Sequence, residues 1–185
     1  MGVSMSRLLG VYDTATLWLA RQKWLLPTLA RLVFAAVLAV YFFNSGRTKM
    51  GDGLAGLWTP STGAYVQILP KTFEAAGYDA TALGAFHHAV VLGGTLAEFL
   101  LPALILLGLF TRIAAVGMIG FVFLQSLTDI YGHGQFDALG RWFDRFPDAA
   151  ILDQRALWVV LLMILVVKGA GPLSADKLLL ARLRR

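Results

Sequence analysis

The sequence predicts an all-α membrane protein, built as a four-helix transmembrane bundle with short amphipathic helices at the membrane surface. Hydrophobic residues make up 58% of the 185 residues, and charged residues only 15%. Such a chain is more apolar than a soluble domain. The apolar residues also fall into four segments whose lengths approach what is needed to cross about 30 Å of hydrocarbon. The length fits a single domain, residues 1–185.

The first two spans are long apolar runs, and the other two are shorter. The predicted spans are residues 24–43, 83–109, 113–129 and 150–167. Only a few residues around Arg112 separate the second span from the third, so these helices must form an antiparallel hairpin. The connection 46–77 is rich in glycine and aromatic residues, which favours an ordered cap over the bundle.

Three further stretches have apolar residues at helical spacing beside charged ones. These are the N-terminal stretch 1–23, the loop segment 136–146 and the C-terminal stretch 173–185, in which Ser174 is the predicted N-cap. Such helices commonly lie in the headgroup plane. The alternative is that they pack against the bundle in the ordinary way.

Basic residues predict the orientation, because cytoplasmic loops carry an excess of Lys and Arg. One side of the membrane has nine: Arg7, Arg21, Lys23, Arg112, Lys168, Lys177, Arg182, Arg184 and Arg185. The long loops on the other side have six: Arg47, Lys49, Lys71, Arg141, Arg145 and Arg155. The bias predicts an integral protein of a bacterial inner membrane with both termini in the cytoplasm.

The composition excludes several classes of chemistry. The chain has no cysteine, which excludes a disulfide, a thiolate nucleophile, an iron–sulfur site and c-type haem attachment. Dinucleotide-binding and phosphate-binding loop motifs are absent as well. The net charge of +5 belongs to the flanks of membrane spans, so lipid and not nucleic acid is the expected partner. Redox chemistry would need a bound cofactor or another protein.

Glu98 is the first candidate functional residue, because it lies in the middle of an apolar run. A carboxylate at that depth costs about 2.5–3.5 kcal/mol on insertion scales, and such groups commonly face a cavity or a partner. Arg31, inside the first span, is the predicted partner, since a lone buried charge of either sign would be worse than a pair. Two interpretations stay open: a pair that only locks helices together, or a site of proton, quinone or ligand chemistry.

A pocket is predicted beside Glu98. Pro102 has no N–H to donate to the carbonyl of Glu98, and small residues surround the carboxylate: Gly93, Gly94, Thr95 and Ala97. His87 falls on the same helical face, toward the outer side. We therefore expect an aromatic-walled pocket that opens past His87, with Glu98, Pro102, His87 and Thr95 as ligand-binding candidates. The alternatives are a simple proline kink and close packing of the small residues.

No metal site is predicted, although one alternative set of ligands lies on the outer half of the chain. Its members are His87, His88, His133 and Asp129. Gln125, inside the third span, is expected to form a hydrogen bond between helices.

Four motifs together resemble the DoxX family of small four-helix membrane proteins. They are Arg31 with Asn44-Ser45-Gly46 and Lys49; the stretch 98–103, EFLLPA; the stretch 107–115, LGLFTRIAA; and the stretch 169–176, GAGPLSAD. The family residues within them are Lys49, Thr111, Arg112, Gly171, Pro172, Ser174 and Asp176. The resemblance implies a four-helix bundle and a connection with quinone-dependent oxidation. The family is named for a subunit of a thiosulfate:quinone oxidoreductase, and some relatives are associated with oxidative stress or with redox partners.

Two function classes follow from the resemblance and the residues. In the first, the protein is a quinone- or small-amphiphile-interacting subunit of a membrane redox system, in which Glu98 exchanges protons and Arg31 adjusts its proton affinity. In the second, it is a non-catalytic membrane anchor, chaperone, or metal- or small-molecule-handling protein that acts with a partner on the outer loops. The sequence leaves open whether the protein is an enzyme, and quinone is the only cofactor it suggests.

The first prediction concerns topology. Reporter fusions placed after Lys71 and after Arg185 should report the outside and the cytoplasm respectively, because Lys and Arg are more numerous on the side of the termini. Alkaline phosphatase and green fluorescent protein fusions would measure this. Reports from the same side at both positions would contradict the predicted orientation.

Overall fold

The computed structural model describes residues 5–183, and these are mostly helical. The α-helices are α1 Met5–Arg21, α2 Leu25–Val33, α3 Val40–Lys49, α4 Thr62–Ile68, α5 Pro70–Ala75, α6 Ala85–Leu107, α7 Thr111–Leu127, α8 Asp153–Lys168 and α9 Ala175–Leu183. A π-helical segment, Phe34–Ala39, joins α2 to α3 without a break, and another, Thr128–Gly132, extends α7. The predicted all-α fold is confirmed.

Within residues 5–183, three continuous helices are long and apolar enough to cross a membrane. They are Leu25–Lys49, Ala85–Leu107 and Thr111–Gly132. Helix α8 has 16 residues, about 24 Å at 1.5 Å per residue, and packs on α2 and α7. The structure thus confirms three of the four predicted spans by length and composition, and shows the fourth as a shorter helix packed in the same bundle.

Two helices run beyond the ends that the apolar runs predicted. The first continues past residue 43 to Lys49, and the third continues past Asp129 to Gly132. The turns added to the first helix contain Ser45 and Lys49, which bond to Glu98 on α6, and the third helix continues past Asp129, whose carboxylate accepts a bond from Arg155 of α8. A helix can continue through polar residues at membrane depth when the protein itself satisfies them.

The turn between α6 and α7 is tight, as the short connection predicted. Gly108 ends α6 with a positive φ of 66°, and its N–H and that of Leu109 bond to the carbonyls of Ile105 and Leu104. A Cβ on Gly108 would lie 2.6 Å from the Cβ of Ser174. Only glycine combines this backbone conformation with the close approach.

The main core joins the three long helices and α8. Its fully buried large side chains are Phe34, Leu38, Phe42, Ile105, Met118, Leu162 and Leu165. Phe42 contacts Phe121 and Trp158 edge-on, with ring centroids 5.9 and 6.2 Å apart. These contacts fix how the helices face one another.

The connection between the first two long helices is an ordered cap, as its composition predicted. Helices α4 and α5 bury Tyr65 and Phe73 against Val91 of α6. The Tyr65 hydroxyl lies 2.7 Å from Nδ1 of His88. Burial raises the pKa of Tyr65, so the phenol stays protonated and can donate to the imidazole.

Two of the three predicted amphipathic helices are present. Helix α1 has no buried residue, so the structure does not support the alternative that it packs on the bundle. Helix α9 begins where predicted, because the Ser174 hydroxyl accepts the Lys177 N–H at 3.3 Å. The parts of these predictions that fall on residues 1–4 and 184–185 lie outside the described residues.

The prediction of a helix over residues 136–146 is wrong. Only the short 3₁₀ turn Phe136–Ala138 forms there. The Gly140 N–H donates to the carbonyl of Ile151, and the Ile151 N–H donates to the carbonyl of Ala138. Because this backbone bonds to a neighbouring segment, it cannot also form the internal bonds of a helix.

Arg31 closes the end of the bundle at which α2 begins and α6 ends. Its Nε donates to the carbonyl of Ile105 at 3.1 Å and its Nη2 to that of Leu106 at 2.5 Å. Its Nη1 donates to the carbonyls of Ala170 and Leu173. The guanidinium therefore satisfies the last carbonyls of α6 and ties them to the segment that leads into α9.

Asp176 complements Arg31 by binding the start of α7. Its carboxylate accepts the backbone N–H groups of Phe110 at 2.6 Å and Thr111 at 3.0 Å. An anion at the N-terminus of α7 and a cation at the C-terminus of α6 both match the helix dipoles. Together, Arg31 and Asp176 form what we call the end clasp.

Replacing Arg31 should loosen the end clasp. We expect Arg31→Met and Arg31→Lys both to destabilise the fold by at least about 1–3 kcal/mol, because each leaves carbonyls unsatisfied and an ammonium lacks the planar fork. Denaturant unfolding in detergent micelles would measure the loss. Arg21→Met, at the end of exposed α1, is the matched control and should have no effect. An Arg31→Met protein as stable as the wild type would refute the clasp.

Candidate functional site

Glu98 forms a buried ion pair with Lys49. The Lys49 Nζ lies 3.0 Å from both carboxylate oxygens, and the Ser45 hydroxyl donates to Oε1 at 3.0 Å. The side chains of Lys49 and Glu98 are 7% and 3% exposed. The predicted pairing with Arg31 is wrong, because Arg31 is engaged by the end clasp while the continuation of α3 brings Lys49 to Glu98.

The local sequence explains how Lys49 reaches the carboxylate. Ser45 and Lys49 are four residues apart and so share one face of α3. Between them, Gly46 lies against the ring of Phe99, and a Cβ at this position would be 2.7 Å from the ring carbon Cε2. This close approach of α3 and α6 holds the two donors over Glu98.

A second, partly buried ion pair joins α8 to the end of the third long helix, just beyond α7. Arg155 Nη2 lies 2.5 Å from an Asp129 carboxylate oxygen, and its Nη1 donates to the Ser126 hydroxyl at 3.0 Å. This pair was not predicted, because Arg155 was counted among the basic residues of the outer loops. The available signal was that Asp129 ends one predicted span and Arg155 lies within another, so a charge of each sign stands at membrane depth.

Both ion pairs line one cavity of about 950 Å³ between the helices. A Cβ built on Gly93 or Gly120 would meet no atom within 4 Å, and both glycines line this space. Other parts of its wall are Tyr41, Gln67, Ile68, Leu101, Phe121, Leu124 and His133. A cavity beside Glu98 is what the small residues of α6 predicted.

Two residues that line the cavity each carry a buried polar atom with no hydrogen-bond partner within residues 5–183. These atoms are Oε1 of Gln125, an acceptor, and Nε of Arg155, a donor. The Gln125 amide nitrogen donates to the Tyr41 hydroxyl at 2.8 Å, which confirms the predicted bond between helices. Buried polar atoms are normally paired, so unpaired ones in a cavity indicate where a ligand or water would bind.

The other predicted ligand-binding residues do not line this cavity. Thr95 is fully buried and donates to the carbonyl of Val91 at 2.8 Å. Pro102 is buried within α6, which continues through it. His87 is absent from the cavity wall, whereas His133 belongs to it and bonds through Nε2 to the carbonyl of Gln67.

The alternative metal site is not assembled. His88 bonds to Tyr65, His133 to a backbone carbonyl and Asp129 to Arg155. No group of three or more His, Asp or Glu residues able to hold a metal occurs within residues 5–183.

Comparison with known proteins identifies the family. The family model for DoxX matches residues 26–130, more than half of the chain. The protein belongs to the DoxX family. No curated protein and no solved structure matches the chain.

The DoxX motif residues lie in two places. Lys49 and Glu98 form the ion pair at the cavity. The other motif residues belong to the end clasp or surround it: Thr111, Arg112, Gly171, Pro172, Ser174 and Asp176. Arg112 Nη1 donates to the carbonyl of Val166, and Gly171, with φ of 79°, lies against Pro27 and Thr28. Gly171 through Asp176 lie beyond the residues that the family model matches.

A double-mutant cycle tests the Lys49–Glu98 pair. Lys49→Met and Glu98→Gln should each destabilise the fold by about 3–5 kcal/mol, because each leaves the buried charge of the other residue unpaired. The double variant should lose much less stability. Unfolding in detergent would give the coupling energy. The matched control is Arg31→Met combined with Glu98→Gln, whose effects should simply add. Strong coupling of Arg31 with Glu98, and none with Lys49, would contradict the structure.

Proposed function

We propose that this DoxX protein binds a quinone in the cavity beside Glu98 and acts as a subunit of a membrane redox system. The observation that carries the proposal is one cavity between the helices of the bundle that is lined by two ion pairs and by two residues with an unpaired donor and an unpaired acceptor. A wall of this kind suits an amphiphile with a polar head.

The size and lining of the cavity favour a small amphiphile. Ligand pockets usually have volumes of about 300–1,000 Å³ and combine apolar walls with a few placed polar groups. This cavity, at about 950 Å³, has aromatic and aliphatic walls in Tyr41, Phe121, Leu101 and Leu124. A ligand dissolved in the bilayer could reach it without crossing water.

The unpaired atoms favour a quinone over other amphiphiles. A quinone head has carbonyl oxygens that accept hydrogen bonds, which the Nε of Arg155 is free to donate. The reduced form has hydroxyl groups that donate, which Oε1 of Gln125 is free to accept. The chain thus offers partners to both redox forms of the head group.

Glu98 is the residue proposed to hold the accompanying proton. A bound quinone would supply two-electron chemistry that the side chains of this protein lack. The carboxylate lies in the cavity wall with Lys49 and Ser45 bonded to it, so it can take up or release a proton without leaving its position. Lys49 would compensate its charge when it is ionised.

The topology that goes with this function has four spans. Helix α8 packs between α2 and α7 and extends from buried Arg155 to exposed Lys168, so we propose that it crosses as the fourth span. Both termini would then lie on the cytoplasmic side of a bacterial inner membrane. With no cysteine in the chain, electrons would arrive from a partner protein on the outer loops.

The second candidate is a non-catalytic anchor or chaperone for a soluble partner. The loop after α7 favours it, because Trp142, Phe143 and Phe146 are 62%, 104% and 57% exposed. Exposed aromatic side chains next to one another are typical of protein or membrane contacts. This candidate requires no quinone in the cavity, so a quinone-binding measurement separates the two.

Filling the cavity should abolish quinone binding. We expect Gly93→Leu to prevent saturable binding of a short-chain quinone, because its side chain would enter the open space beside Glu98. Tryptophan fluorescence quenching, together with displacement of co-purified lipid, would measure binding. Gly10→Leu, where a Cβ on exposed α1 likewise meets nothing within 4 Å, is the matched control and should bind normally.

Removing single polar groups of the cavity wall should weaken quinone binding. Gln125→Met should lower the affinity roughly tenfold, as expected for one lost hydrogen bond, whereas Gln154→Met outside the cavity should not. Glu98→Ala should also reduce binding. If wild type shows no saturable binding, or if Gly93→Leu and Glu98→Ala bind as wild type does, the cavity is not the quinone site and the anchor function is favoured.

A further inference from the structure

A second cleft lies beside the end clasp, at the end of the bundle where α7 begins and α8 ends. It has a volume of about 690 Å³ and is formed by the start of α2, the turn before α7, the end of α8 and the segment leading into α9. Because three long helices begin or end here, the cleft lies at the depth of the lipid headgroups. The cavity beside Glu98 shares no residue with it.

The cleft is positively charged. Its wall contains Lys23, Arg112, Lys168 and Lys177 and one acidic residue, Asp176. The Asp176 carboxylate is already bonded to the N–H groups at the start of α7. Within residues 5–183, the three lysines form no ion pair. Their charges are therefore available to an anion.

Exposed apolar side chains adjoin these cations. Trp24, Ile113 and Leu180 line the same cleft and are 50%, 73% and 53% exposed. A free anion would leave them uncovered. A ligand with an anionic head and an apolar tail would cover them and also neutralise the lysines. Basic pockets between transmembrane helices at headgroup depth are a known form of lipid recognition.

From this geometry we infer that the cleft binds an acidic phospholipid. The phosphate lies among Lys23, Lys168, Lys177 and Arg112, and the acyl chains follow Ile113 and Leu180 into the bilayer. Exposed helices α1 and α9 carry apolar residues at the same end of the bundle, so the whole end faces the headgroup layer. The inference is independent of the proposed quinone site.

Native mass spectrometry of the purified full chain tests this inference. Phosphatidylglycerol should bind more tightly than phosphatidylcholine of the same chain length. The triple variant Lys23→Gln, Lys168→Gln, Lys177→Gln should weaken phosphatidylglycerol binding on the order of 100-fold at low salt, and single Lys168→Gln about fivefold, since each basic residue near the surface contributes about 1 kcal/mol. Phosphatidylcholine binding should not change.

The matched control removes three exposed basic residues elsewhere. Arg47→Gln, Lys71→Gln, Arg141→Gln lowers the net charge equally and should keep the preference for phosphatidylglycerol. Equal binding of the two lipids by the wild type, or equal losses in both triple variants, would overturn the site. Glycerol phosphate that binds as tightly as phosphatidylglycerol, with the same dependence on Lys168, would show a water-soluble ligand and overturn the lipid assignment. If the triple variant fails to fold, the expected fivefold loss of phosphatidylglycerol binding in single Lys168→Gln tests the site instead.

Discussion

The hydrocarbon core of a bilayer has no water to solvate a charge, and this constraint determines where the polar side chains of the long helices lie. Glu98 pairs with Lys49 and Asp129 with Arg155, and the guanidinium of Arg31 donates hydrogen bonds to four backbone carbonyls. Each arrangement joins different segments of the chain. A helix that rotated or slid would strand a charge at a cost of several kcal/mol, so these contacts fix the register that the apolar core alone would leave loose.

The same ion pairs account for the cavity between the helices. Gly93 and Gly120 provide the space, and in an apolar bundle neighbouring side chains would close over it. Here the wall contains Lys49–Glu98 and Arg155–Asp129, whose positions are set by hydrogen bonds. Collapse would break those bonds or bury them further. A structural role for the ion pairs and a binding role for the cavity are therefore compatible, because the first maintains the second.

The sequence predicted those parts of the fold that depend on run length and composition, and not those that depend on pairing. The apolar runs located the three long helices, the hairpin at Arg112 and the depth of Glu98. They could not identify the partner of Glu98, because hydropathy ended the first span before Lys49. They could not identify the partners of Arg31 either, because these are backbone carbonyls, which have no signature in side-chain sequence. The helix predicted over 136–146 failed similarly, since its periodicity could not reveal that Gly140 and Ala138 bond to Ile151.

The two cavity-lining residues with unpaired polar atoms are not among those that carry the resemblance to DoxX. The motif residues Lys49, Glu98, Arg31 and Asp176 have their hydrogen bonds satisfied within the protein, so they build the bundle and place one ionisable carboxylate in the cavity. The unpaired donor and acceptor belong to Arg155 and Gln125, which lie outside the motifs. Recognition of a ligand depends on groups that the fold leaves unsatisfied. Under the proposed function, ligand choice would therefore rest with Arg155 and Gln125, and proton handling with Glu98.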